Sequence, residues 1–167
     1  MMARVELPDD AIEQILERWP IAVLATSGAR GPHQVPIVFA RAEGALWSPI
    51  DGKPKRGGEL ARVRHVRRDP RVSLLFANYD ADWSRLWWLR LDGQAEIRGA
   101  PADAALAALR AKYPQYAQVP VLGPAGLLLR IGITSRTSWV ASRAVEVVEP
   151  SGIEPPTSAL RTQRSPS

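Results

Sequence analysis

The chain has 167 residues, 46% of them apolar, with no cysteine, two histidines and a formal net charge of +5. That composition excludes wholesale disorder, a disulfide framework, thiolate zinc and cysteine catalysis. His33 and His65 match no metal-ligand spacing, the start MMARVELPDD carries no apolar signal core, and no apolar run approaches the roughly 20 residues of a membrane span. The expectation is one domain, cytoplasmic, with no membrane partner.

The predicted elements begin with a helix from Asp9 or Asp10 to about Trp19. It carries Ile12, Ile15, Leu16 and Trp19 on one face and is stopped by Pro20. Ile21–Thr26 is a short apolar strand, Ser27–Pro32 is turn chemistry, and His33–Ala40 is the hairpin partner. Pro36 lacks a ladder donor. It is a plain marker of an edge strand, or it frees a backbone position where a flat ring could approach. A second turn at Ala42–Gly44 leads to a strand at Ala45–Ser48.

The next stretch, Lys53–Arg71, concentrates the charge. It holds eight Lys and Arg residues against only Glu59 and Asp69, a net +6, so the rest of the chain is close to neutral. A loop broken by Pro54, Gly57 and Gly58 runs into a helix over Glu59–Arg68, stopped by Asp69-Pro70. Backbone N–H groups, the helix dipole and cationic side chains can hold a phosphate there. The alternative is a solvated loop and a charged helix face. On a helical wheel Leu60, Val63 and Val66 form the buried stripe and Arg62 borders it, so that its stem can pack while its guanidinium reaches a ligand. His65 and Arg68 are expected to point to solvent, and His33 to sit exposed at a strand end.

Arg71–Asn78 reads as a strand, Tyr79–Asp82 as a loop, and Trp83–Arg98 as one long strand bent near Asp92-Gly93. Its alternation sets Leu86 and Trp88 against Trp87 and Leu89, so both faces carry large apolar groups. Two of its three tryptophans are expected to pack in the core or against a partner; Trp83, next to a loop, is the choice for the wall of a planar cofactor. A helix at Ala102–Tyr113 and one long or two short strands over Gly126–Val140 complete the fold. From about Val147 the chain turns Pro- and Ser-rich. The division expected is a domain over residues 1–146 and a disordered tail over 147–167. The fold class is mainly β with short helices, a six-stranded antiparallel barrel closed on itself. Apolar residues on both faces of a strand call for a second subunit as cover.

Three segments carry a resemblance: ATSGARGPHQVPIVF, DGKPKR with LARVRHVRRDPRVSLL, and NYDADWSRLWWLRLDGQAEI. Together they resemble the pyridoxamine-5′-phosphate-oxidase-like split β-barrel proteins of the FMN-binding split-barrel type. Within that class they look most like the oxidoreductases that use the deazaflavin coenzyme F-420. The resemblance covers roughly Leu7–Ser142. It implies an obligate homodimer with two cofactor sites at the subunit interface. It would place His33, Gln34, Val35 and Pro36 beside the ring system. Lys53, Lys55, Arg56, Arg62 and Arg64 would face the phosphate and acidic tail, and Trp83 and Ser84 would line the pocket. Relatives with a shorter basic motif lack the DGKPKR insertion, which leaves open which of Lys53, Lys55 and Arg56 meets the phosphate.

The functional expectation is an oxidoreductase in which reduced F-420 delivers hydride to a small-molecule substrate, the protein supplying orientation and electrostatics. The alternatives are an FMN-dependent oxidoreductase of the same fold and a cofactor carrier without turnover. A nucleic-acid-binding module is the remote alternative, because the positive charge is confined to one segment and the tryptophans lie in apolar strands.

Overall fold

The computed structural model describes residues 5–50 and 59–142. The basic loop with Lys53, Lys55 and Arg56, and the boundary and tail at 147–167, lie outside the described residues. Among the described residues three α-helices, α1 (Asp9–Arg18), α2 (Ala61–Arg68) and α3 (Asp103–Lys112), accompany seven strands. These are β1 (Ala22–Gly28), β2 (Gly31–Ile37), β3 (Ala40–Ala42), β4 (Ala45–Pro49), β5 (Arg71–Asn78), β6 (Trp87–Gly99) and β7 (Leu127–Val140). No helix among them is long and apolar enough to cross a membrane.

All seven strands join one antiparallel sheet in the order β2-β1-β5-β6-β7-β4-β3. The two edges, β2 and β3, are consecutive in the chain and joined only by Val38 and Phe39. A link of two residues forces the sheet to curl until its edges approach, although no ladder closes it. The result is a split barrel of seven strands rather than the closed six. The extra strand arises because the predicted His33–Ala40 strand breaks after Ile37. Phe39, fully buried, turns inward there, and β3 starts anew at Ala40. The β3–β4 turn uses positive φ at both Glu43 (50°) and Gly44 (70°), the backbone a two-residue hairpin of this hand requires.

The inner faces of the strands fill one core: Leu24, Phe39, Leu74, Phe76, Trp87, Leu89, Leu129 and Ile131 among others. Helix α1 closes one end of it. Its Ile12 and Ile15 are buried, each contributing roughly 1.5–3 kcal/mol of transfer free energy, as is Trp19 just past its end. Trp19 meets Trp87 edge-on at 4.8 Å. A second cluster joins α3, through Ala105, Leu109 and Tyr113, to Ala40, Trp47 and Leu128.

The stretch Trp83–Arg98 is not one continuous strand. Trp83–Arg85 is a 3-10 turn, capped by the Asp82 carboxylate accepting from the Ser84 N–H, and the strand begins only at Trp87. The bend near Asp92-Gly93 is a register shift, as expected. There a Cβ on Gly93 would lie 2.3 Å from the Gly132 carbonyl oxygen, so only glycine fits. Trp87 and Leu89 face the core, not an outer surface. The outer face carries Trp88, beside Ala77 on β5 and Trp139 on β7, with Leu75 and Val23 paired further along the sheet.

Candidate functional site

The β1–β2 hairpin and α2 enclose a cavity of about 530 Å³ lined by Gly28, Ala29, Arg30, Gly31, Pro32, His33, Ala61, Arg64, His65 and Arg68. Among the described residues no carboxylate lines it. The hairpin turns through Ala29-Arg30 between the paired Gly28 and Gly31, with Gly31 at φ 118°. Helix α2 rests on β1 and β6 through Val63 and Val66. That packing turns Arg64, His65 and Arg68 toward the hairpin.

The two histidines meet in this cavity. Their rings are T-shaped, with centroids 5.1 Å apart. His65 Nδ1 shares a 3.0 Å hydrogen bond with the hydroxyl of Thr26, a buried polar side chain on the inner face of β1. Burial, then His33, then Arg64 and Arg68, lower the pKa of His65, so the imidazole is neutral at neutral pH. His33, half-buried and paired across the hairpin with Thr26, buries its Nδ1 without a hydrogen-bond partner among the described residues. Such an atom is a ready acceptor or donor for a ligand. Gly28 makes the arrangement fit, since a Cβ there would come within 3.0 Å of His65 Nε2.

The cations keep their charge available. Arg64 donates to the Glu59 backbone carbonyl, and Arg68 to the Ser27 carbonyl at 2.7 Å. Neither bond neutralises a guanidinium. Glu59 gives its carboxylate to Arg67 instead.

The predicted site residues are thus only partly gathered. His33 and Arg64 line the cavity. Val35 shares their side of β2 but packs against the core, whereas Gln34 and Pro36 are exposed on the opposite face. Arg62 is half-buried on α2 and does not line the cavity. Lys53, Lys55 and Arg56 lie outside the described residues, in the segment that leads to Glu59. Trp83 is 70% exposed and Ser84 is exposed. Both follow the Asn78 end of β5, six residues or about 20 Å along the strand from Val72, the residue beside Thr26.

Arg68 is exposed, as the helical wheel suggested, although its guanidinium reaches back to the hairpin; His65 is half-buried against the hairpin instead. The wheel sees the stripe facing the barrel but not the hairpin that flanks the helix. A sequence signal did exist: Ala22, Leu24 and Thr26 are the inward positions of β1, and a hydroxyl among them needs a partner.

The sequence pattern of the pyridoxamine 5′-phosphate oxidase family matches residues 8–150. No curated protein compared with the chain matches it. Several solved structures share the fold. A conserved hypothetical protein from Mycobacterium tuberculosis superposes with a TM-score of 0.69 at 22% identity, over 92% of this chain and 98% of that one. A FAD-binding protein from Mesorhizobium loti gives 0.57 at 18% identity, over 83% and 96%. The heme storage protein of Vibrio cholerae gives 0.60 at 15% identity, over 80% and 94%. With the family pattern running from before α1 to beyond β7, and the split barrel seen in the strands themselves, the chain belongs to the pyridoxamine 5′-phosphate oxidase family.

Proposed function

We propose that the protein is an oxidoreductase that binds reduced deazaflavin coenzyme F-420 and serves hydride transfer to a small organic acceptor. The observation that carries this reading is the charge balance of the hairpin cavity. Arg30, Arg64 and Arg68 line it, and among the described residues no carboxylate stands opposite them. Like charges held together cost stability unless an anion relieves them. A cofactor with a phosphate and an acidic tail suits three cations better than FMN with its single phosphate. Family membership and the FAD-binding neighbour support a flavin-like group.

The residues present fit that group. The buried His33 Nδ1, without a partner among the described residues, and the close seating of His65 that Gly28 allows leave a polar atom open to a ligand. When bound, the deazaflavin supplies the hydride. Arg64 and Arg68 would hold the anionic end, and neutral His65, fixed by Thr26, would keep the ring of His33 in place. Lys53, Lys55, Arg56 and Arg62 complete the cationic set in this proposal. A homodimer belongs to it as well. Trp83 and Ser84 stand far from the hairpin within one chain, and a two-fold partner would bring them to it. The outer face with Leu75, Trp88 and Trp139 offers the apolar surface for such a contact.

Titration of the purified protein with oxidised F-420 and with FMN, followed by quenching of its six tryptophans, tests the reading. Tighter binding of F-420, and oxidation of reduced F-420 by an added acceptor, are the expected results. Tighter binding of FMN would move the assignment to an FMN-dependent oxidoreductase. Binding of F-420 without turnover on any acceptor would leave a carrier, and binding of neither would end the proposal.

A further inference from the structure

Lys112, on the last turn of α3, takes no part in the hairpin cavity. It is the chain's one lysine besides Lys53 and Lys55. It lines a separate cavity of about 800 Å³ between the C-terminal ends of α1 and α3, together with Glu17, Arg18, Arg41 and Tyr113. Its Nζ donates to the Leu16 carbonyl oxygen at 3.1 Å and stands 3.5 Å from the centroid of the Phe39 ring. Burial brings the pKa of the amine down to about 8, with Glu17 acting in the opposite direction. About a tenth of the side chains are then neutral at pH 7.

The two contacts decide where a neutral amine directs its lone pair. A carbonyl oxygen only accepts, so it takes one N–H. The face of an aromatic ring is electron-rich, so it takes the second. The lone pair is left for the remaining side, which is the cavity. An amine held in this way is a nucleophile aimed into a cavity open to solvent. Arg41 is occupied by Glu13 on the cavity rim, and Arg18 stands beside it as a further cation.

We propose that Lys112 is a reactive amine and that the cavity between α1 and α3 takes small aldehydes bearing a carboxylate, held as a reversible imine on Nζ. The lone pair attacks the carbonyl carbon and forms the C–N bond. A proton passes from nitrogen to the former carbonyl oxygen, giving the carbinolamine. That hydroxyl leaves as water while the C=N bond forms, so nothing is oxidised or reduced. Arg18 supplies the positive charge that favours the carboxylate.

The test uses the full wild-type chain without added cofactor, so its outcome does not depend on the redox reading. Glyoxylate and cyanoborohydride are added at pH 8 with Nα-acetyl-lysine in the same tube as the reference amine. Cyanoborohydride converts an imine to a stable carboxymethyl amine that peptide mapping locates. Lys112 is expected to be labelled at least about fivefold faster than the reference, with a rate that levels off above pH 8. Propanal, which lacks the carboxylate, is expected to show a smaller preference. Labelling of Lys112 no faster than the reference, or a rate still climbing through pH 10, would overturn the reactive amine. An equal preference for propanal would overturn the carboxylate specificity.

Discussion

Gly28→Ala tests whether the hairpin and His65 are packed as described. Gly28 has no positive φ, so alanine meets no backbone strain. What it meets is contact: its Cβ would lie 2.9 Å from the Gly31 carbonyl oxygen, 3.0 Å from His65 Nε2 and 3.1 Å from His65 Cε1. The imidazole is the part that can yield, and in yielding it breaks the 3.0 Å bond to Thr26. The Thr26 hydroxyl, 4% exposed, then stays buried without a partner, which costs about 1–3 kcal/mol. Loss of glycine's freedom in the unfolded chain offsets about 0.4–1 kcal/mol of that. The net loss is about 1–2 kcal/mol, or roughly 2–8 °C in Tm for a chain of this size. Urea unfolding of Gly28→Ala, His65→Ala and the double variant forms the assay. With the imidazole gone, Gly28→Ala should cost less by at least about 1 kcal/mol, a coupling expected only of residues in contact. The same cost with and without His65 would refute the packing.

Three further outcomes follow from the fold. Gly93→Ala should destabilise by more than the roughly 1–3 kcal/mol typical of overpacking, because the atom it meets, the Gly132 carbonyl oxygen, is backbone; chemical denaturation measures it. Tyr113→Phe should cost about 1–3 kcal/mol by the same assay, since the hydroxyl accepts from the Phe39 N–H at 3.0 Å and that donor is buried. For Lys112, the native amine releases its proton near pH 8 while the unfolded chain holds it to 10.5. The unfolded state thus binds more protons above pH 8, and stability conferred by this residue rises with pH there. Tyr113, pushed up to about 12, acts in the opposite direction above pH 10. The stability of the wild-type chain relative to Lys112→Met should therefore climb between pH 8 and 10, and a flat difference would contradict the buried amine.

Much of the fold was legible because its signals are local. Pro20 and Pro114 bracket α1 and α3, the β5 alternation of Val72, Leu74 and Phe76 is regular, and Asp92-Gly93 marks the bend in β6. What the sequence hid is tertiary. Trp87 and Leu89 alternate with Trp88 in a pattern that fixes two faces but not which one is inside. The break after Ile37 depends on Phe39 reaching the core beside Phe76, a contact 37 residues away in sequence. The site shows the same division. Charge singled out the segment of Arg64, and the turn pointed to His33. The pairing of His33 with His65 arises only when α2 lies against the hairpin, and no periodicity encodes that.

The central claim is that the cavity between the hairpin and α2 holds the anionic end of the cofactor. The most direct measurement is the Kd for F-420 of Arg64→Glu beside Arg110→Glu, an equal charge change on the exposed side of α3. Among the described residues Arg64 donates to the Glu59 carbonyl and to no carboxylate, so the fold should tolerate its loss with little change in Tm. A hydrogen bond to a charged group contributes about 1.5–3 kcal/mol, so Arg64→Glu should weaken binding tenfold or more while Arg110→Glu leaves it near wild type. Unchanged affinity in Arg64→Glu, or an equal loss in both variants, would contradict the claim.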